Sequence, residues 1–251
     1  MNRRRTHISL FGLFLVSGLL MTPFGGYAAT PGMDSATRQS MEQLIEEYIR
    51  THPEVIEQSL QALEVKREAE EKTRQKAALA GRQQELLNDP SSPVSGNPAG
   101  DITVVEFFDY RCGYCKRAAG AVTQLQKEDA RVRVVYKDFP ILGEASELAA
   151  KAALASKAQG KHQAFHEALL ASKGDMTKDS ILAVAAEVGL DTKRLETDMA
   201  NPEWQKVIDA NRTLARDLSI SGTPGFIVGT ELVPGALDLN GLKELIARAA
   251  K

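Results

Sequence analysis

Phe107-Phe108-Asp109-Tyr110-Arg111-Cys112-Gly113-Tyr114-Cys115-Lys116 holds both cysteines of the chain. They stand three positions apart, close enough for a reversible disulfide with little backbone change. Upstream, Ile102-Thr103-Val104-Val105-Glu106-Phe107-Phe108 is rich in β-branched and aromatic residues and short enough for a buried strand. Downstream, Lys116-Arg117-Ala118-Ala119 leads to Val122 and Leu125 with helix-forming composition. The pair therefore falls on a strand-to-helix turn, with Cys112 at the helix N-terminus. Unsatisfied N–H groups and the positive dipole end there favour a thiolate over a thiol. Cys112 is the expected nucleophile. Cys115, one turn later and facing inward, is the expected resolving thiol.

Two plainer readings compete. Cys-x-x-Cys could be half of a zinc site completed by His162 and His166, but those histidines begin far beyond the spacing of a compact finger. On one helix face with no third ligand nearby, they read as helix-packing or surface residues. A static structural disulfide closing so small a loop would remove little unfolded-state entropy. The redox reading is the stronger.

Residues 1–28 read as a cleaved export signal. Arg3-Arg4-Arg5 is followed by an uncharged run from Ile8 to Met33, and Gly26-Tyr27-Ala28 offers small residues for cleavage after Ala28. Gly12, Gly18 and Pro23 interrupt an apolar run that is short for a membrane span. Removing this segment takes the formal net charge from −2 to −5, a mild acidity that argues against a nucleic-acid partner. An exported chain with one cysteine pair lives where disulfides persist, yet does not use them to hold its fold. The expected location is the periplasm.

In 33–87, Met41, Leu44, Ile45, Tyr48 and Ile49 form one apolar stripe at helical spacing. Thr51-His52-Pro53-Glu54 reads as a capping box that restarts a helix through Val55, Ile56, Leu60 and Leu63. From Glu64 to Lys76 nearly every residue is polar or charged, with Glu68/Lys72 and Glu70/Arg74 as i,i+4 pairs. That is a solvated spacer, which Ala77 to Leu87 continues. The upstream stripe lacks an evident partner in its own chain, and a second copy is the natural one.

Asn88 to Pro98 has linker composition. The expected division is 1–28 signal, 29–87 helical oligomerisation arm and charged spacer, 88–99 linker, and 100–251 main domain. In that domain, strand 102–109, helix 113–128 and a second strand at Val132-Arg133-Val134-Val135-Tyr136 form a compact β-α-β unit. Helical signals fill 144–218, a helical insertion between two halves of a sheet. Sheet character returns at Thr223-Pro224-Gly225-Phe226-Ile227-Val228, and a closing helix starts near Asp238.

This order of strand, Cys-x-x-Cys, helix, strand, helical insertion, Thr-Pro-Gly-Phe, hairpin and helix resembles the DsbA family: an α/β, thioredoxin-like fold with a helical insertion, preceded here by the N-terminal arm. The resemblance implies that Pro224 is cis and faces the cysteines, and that Thr223 and Pro224, with Gly113 and Tyr114, meet the client chain. It also implies that Glu106 is the family's buried acid, accepting a proton as Cys115 attacks the mixed disulfide. With its arm and spacer, the whole chain most resembles the suppressor-of-copper-sensitivity (ScsC) subgroup, in which N-terminal oligomerisation and trimers occur.

Gly113-Tyr114 stands where the family's strong oxidase has Pro-His, and a neutral tyrosine cannot stabilise a thiolate by charge. Thr223 before the proline also resembles the isomerases. The expected function is an exported thiol–disulfide oxidoreductase acting on protein disulfides, as isomerase or reductase, through a reversible Cys112–Cys115 disulfide. No cofactor is expected. Its partners would be unfolded or misoxidised exported proteins, a membrane thiol reductase that resets the pair, and further copies of itself, a trimer being favoured. The alternatives are a DsbA-like oxidase and a Cu(I)-binding copper-tolerance protein using the Cys112 and Cys115 thiolates.

Overall fold

The computed structural model describes residues 34–249, so the expected signal at 1–28 lies outside them. The chain divides into two units between Gln61 and Ala62. The first contains helix α1 (Ser35–Thr51) and the opening of α2 (Pro53–Gly81). Asp34 caps α1 by accepting from the Thr37 N–H at 2.9 Å. The capping box expected at Thr51 does not form. Thr51 ends α1, and its hydroxyl donates back to the Glu47 carbonyl at 2.8 Å. Pro53 then opens α2, where a missing N–H costs nothing. No residue of α1 is buried: Met41, Leu44, Ile45, Tyr48 and Ile49 are all exposed, Leu44 at 67%. Among the described residues no helix is long and apolar enough to cross a membrane.

The second unit is built on a five-stranded sheet of β1 (Val94–Gly96), β2 (Ile102–Phe108), β3 (Val132–Asp138), β4 (Gly225–Val228) and β5 (Glu231–Pro234), in the order β1-β3-β2-β4-β5. β2 and β3 run parallel, joined by helix α4 (Gly113–Glu128), and the other pairs are antiparallel. Because β2 alternates, Val104 and Phe108 enter one core with Cys115 and Val122, whereas Val105 and Phe107 enter a second core on the opposite face. On the first face lie α4, α6 (His162–Ala171) and α10 (Leu239–Ala249). The insertion also supplies α5 (Glu144–Ser156), α7 (Lys178–Glu187) and α8 (Thr192–Met199), the last two capped by Thr177 and Asp191. Ala149, Ala150, Ala152, Ala153 and Ala155 of α5 are buried and allow its neighbours to approach closely. Helix α9 (Glu203–Asp217) covers the second face.

The end of the expected spacer belongs to this domain. Leu79, in the last turns of α2, and Leu86, in α3 (Gln83–Leu87), are 0% exposed and pack in the second core with Leu214, Leu218 and Ile227. Each such burial stabilises by roughly 1.5–3 kcal/mol. Nor is 88–99 a free linker, since β1 pairs with β3. Lys137, only 1% exposed, donates to the Glu85 carbonyl at 2.6 Å, Ser92 Oγ at 2.7 Å and Asp89 Oδ2 at 3.0 Å. All three donors of that buried ammonium are used, which fixes 85–92 against the sheet. Gly96 ends β1 at φ +74°, and a Cβ there would stand 2.6 Å from the Val132 carbonyl, so only glycine fits.

Candidate redox site

Cys112 is the N-cap of α4, with extended backbone, while Cys115 lies one turn inside the helix. Strand β2 delivers the chain to this turn and Asp109 shapes it. Asp109 Oδ1 accepts from the Arg111 N–H at 2.7 Å and the Ser146 hydroxyl at 2.8 Å, and Oδ2 from the Ile141 and Leu142 N–H groups at 2.8 and 3.0 Å. The Asp109 carbonyl accepts from the Cys112 N–H at 3.0 Å. One buried carboxylate thus joins the cysteine turn to the start of the insertion.

Both cysteines are free thiols, differently placed. Cys112 is 7% exposed, and its thiol donates to the Thr223 carbonyl at 3.2 Å. The Thr223–Pro224 peptide is cis. Cys115 is 0% exposed, and burial pushes its thiol well above the ordinary range, aided by the Glu106 charge and by Cys112. Glu106, on β2 opposite Tyr136 and Phe226, is 1% exposed. Burial pushes its carboxyl up to about 8, and its Oε1 has no hydrogen-bond partner among the described residues. A carboxyl poised near neutral pH beneath a thiol that must lose a proton suits general acid–base transfer. Tyr114 stands 59% exposed beside Cys112, with the Arg117 guanidinium 4.1 Å over its ring. The fold thus gathers Cys112, Cys115, Glu106, Gly113, Tyr114, Thr223 and Pro224 around one turn.

Sequence reasoning passed over several polar groups in this core. Asp109 was visible as an acid within the motif, but its role depends on the loop after β3. Asp138, in the register pair Phe108–Asp138, is 1% exposed with both carboxyl oxygens unpartnered among the described residues, and burial pushes it up to about 8. His162 and His166, expected as helix-packing or surface residues, are buried in the core. Their rings stack at 5.6 Å, and the Tyr110 hydroxyl and His166 Nδ1 share a 3.0 Å hydrogen bond. Burial pushes His162 down to about 3 and His166 well below its usual value, so both are neutral at physiological pH.

Comparison with known proteins adds a family. Residues 103–247 match the DSBA-like thioredoxin domain, and residues 38–70 match the copper resistance protein ScsC N-terminal domain. A thioredoxin-like oxidoreductase from Silicibacter pomeroyi DSS-3 is 48% identical, with a TM-score of 0.65 over 66% of this chain and 96% of that one. Proteus mirabilis ScsC, in a transitional conformation, is 26% identical, with a TM-score of 0.64 over 86% of this chain and 98% of that one. Among curated proteins, the Na(+)/H(+) antiporter NhaA 1 of Salinispora arenicola is 30% identical over 158 residues, 62% of this chain and 24% of its own length. The chain spans about a quarter of the length of the first curated relatives it matches.

Proposed function

We propose, from the premise that this chain belongs to the DSBA-like thioredoxin domain family, that it is an exported, periplasmic thiol–disulfide oxidoreductase acting on protein disulfides as isomerase or reductase. The observation that carries this reading is the asymmetry of the two sulfurs: Cys112 at the helix N-cap beside the Thr223 carbonyl, Cys115 buried above Glu106.

The Cys112 thiolate attacks one sulfur of a client disulfide, forming a mixed disulfide and releasing the other client sulfur as thiolate. In isomerisation, another client thiolate attacks the client sulfur of that mixed disulfide, making a new client disulfide and returning Cys112 as thiolate, with no net electron transfer. In reduction, Cys115 gives its proton to the ionised fraction of Glu106 and attacks Cys112, breaking the Cys112–client bond. The Cys112–Cys115 disulfide forms, and the client leaves with two electrons gained. A membrane thiol reductase would return those electrons. Gly113-Tyr114 and Thr223 support the isomerase side, because no cation between the cysteines favours holding the pair as a strong oxidant. The exposed stripe of α1 supports self-association, with a trimer favoured, which would place several thiol pairs around one client.

The deciding experiment is the redox state of the pair in cells, read by acid quench and alkylation with a heavy thiol reagent. A mostly reduced pair is expected. A mostly oxidised pair would overturn the isomerase reading in favour of a disulfide donor. The match of residues 38–70 to a copper resistance domain supports a second reading, in which the same two thiols take up Cu(I), a soft ion suited to thiolates. Cu(I) uptake that survives the double change Cys112→Ser/Cys115→Ser would count against it.

A further inference from the structure

A groove of about 530 Å³ opens beside the redox turn. Its floor is the loop from Ser219 to Gly225, one wall is Tyr114 of α4, and another is Leu232 and Pro234 of β5. The remaining wall is Gln75, from helix α2. Helix α2 is held there by several ties. Leu79, one turn on from Gln75, is fully buried in the second core. Lys76 Nζ pairs with Glu231 at 2.7 Å, and just beyond α2 the first residue of α3, Gln83, donates to the Gly229 carbonyl at 3.2 Å. Half-buried Gln75 therefore faces the groove from a docked helix rather than a free spacer.

The groove has two properties that define its occupant. It adjoins the reactive sulfur, because Thr223, one of its lining residues, accepts from the Cys112 thiol through its carbonyl. Thr223 also lies outside the strand ladder, which begins at Gly225, so no neighbouring strand occupies its backbone groups. The second property is electrical. None of the residues lining the groove carries a charge, in a protein a quarter of whose residues are charged. A charged side chain entering it would lose water and find no ion partner among the lining residues.

We propose that Gln75 is a specificity-determining residue for the client: with Tyr114 and Leu232 it walls an uncharged channel that favours extended segments carrying an uncharged residue next to the cysteine under attack. This rests on the exchange chemistry proposed above. It adds that helix α2, which precedes the residues matching the DSBA-like thioredoxin domain, takes part in choosing the client. An amide at position 75 offers a donor and an acceptor to a passing backbone without selecting a sign of charge.

The test uses the full chain and three short peptides, each with one cysteine as a mixed disulfide with glutathione, differing only in Val, Asp or Lys beside that cysteine. Exchange is followed as kcat/KM, with hydroxyethyl disulfide as a small uncharged substrate. The wild type is expected to prefer the Val peptide over both charged ones. Gln75→Lys should raise the Asp-to-Lys ratio of kcat/KM by roughly threefold and Gln75→Glu should lower it by about the same factor, the scale of a partly exposed charge pair. Because the readout is a ratio within one sample, a loss of folded protein does not mimic it. Equal rates for the three peptides in the wild type, or one ratio shared by all three chains, would overturn the proposal while leaving exchange chemistry standing. Failure of the wild type to turn over hydroxyethyl disulfide would overturn both.

Discussion

Helices α1 and α4 are nearly equal in length, 17 and 16 residues, and both carry an apolar stripe at helical spacing. Helix α4 buries Cys115, Ala118, Val122 and Leu125 against its own sheet, whereas α1 buries nothing among the described residues. A stripe states that a face needs covering; it does not state what covers it. For α4 the cover is local in sequence, since the strand before it and the strand after it form the surface it lies on. For α1 no cover lies among the described residues of its own unit, and the proposed cover is another copy.

The largest effect should come from the N-cap of α4. Cys112→Ser should reduce exchange with protein disulfides and with hydroxyethyl disulfide to background in a turnover assay, because the one remaining thiol, Cys115, is fully buried. Unchanged turnover would break the contrast at its functional end. Next is Glu106→Gln, which should slow the Cys115 resolving step by about 10²–10⁴-fold in stopped-flow measurement, the usual worth of a positioned base. The same change should alter stability with pH. Folded Glu106 keeps its proton up to about 8, whereas the unfolded group releases it near 4.5, so native stability falls as pH rises through that window. Glu106→Gln should therefore be more stable than wild type at pH 7, by about 3 kcal/mol on this linkage alone, and near equality at pH 4 should be seen in denaturant titrations.

The remaining changes compare leucines. Leu79→Ala, at a fully buried site, should cost about 2–5 kcal/mol of domain stability by urea titration. Leu44→Ala, 67% exposed in α1, should cost the catalytic domain less than about 0.5 kcal/mol. Leu44→Glu with Ile45→Glu should instead lower the mass seen by sedimentation. A monomeric wild type would remove the proposed cover of α1.

The redox turn was legible because its signals are local. β-Branched residues, two cysteines and an alanine-rich run fix strand, turn and helix within residues 102–128. Glu106 was legible as a buried acid through the family resemblance, and its apolar neighbours on β2 account for that burial. The stretch 88–99 was not, because Pro, Ser, Gly and Asn there signal a loop, while the forces that hold it come from afar, through Lys137 and the β1–β3 pairing. Leu79 and Leu86 were hidden for a related reason: two leucines after a charged run form no stripe, and their burial depends on α9 and the sheet. Asp138 follows Lys137 at the end of β3, and nothing in the local sequence distinguishes the lysine that finds three acceptors from the acid that finds none.

In the proposed exchange, Cys112 takes the client and Cys115 releases it. The most direct test is to express Cys115→Ser, quench with acid and identify what is covalently bound by non-reducing electrophoresis and mass spectrometry. Client proteins joined through Cys112, released by reductant and absent from Cys112→Ser/Cys115→Ser, are expected. No adduct with Cys115→Ser, or adducts that persist in the double variant, would contradict it.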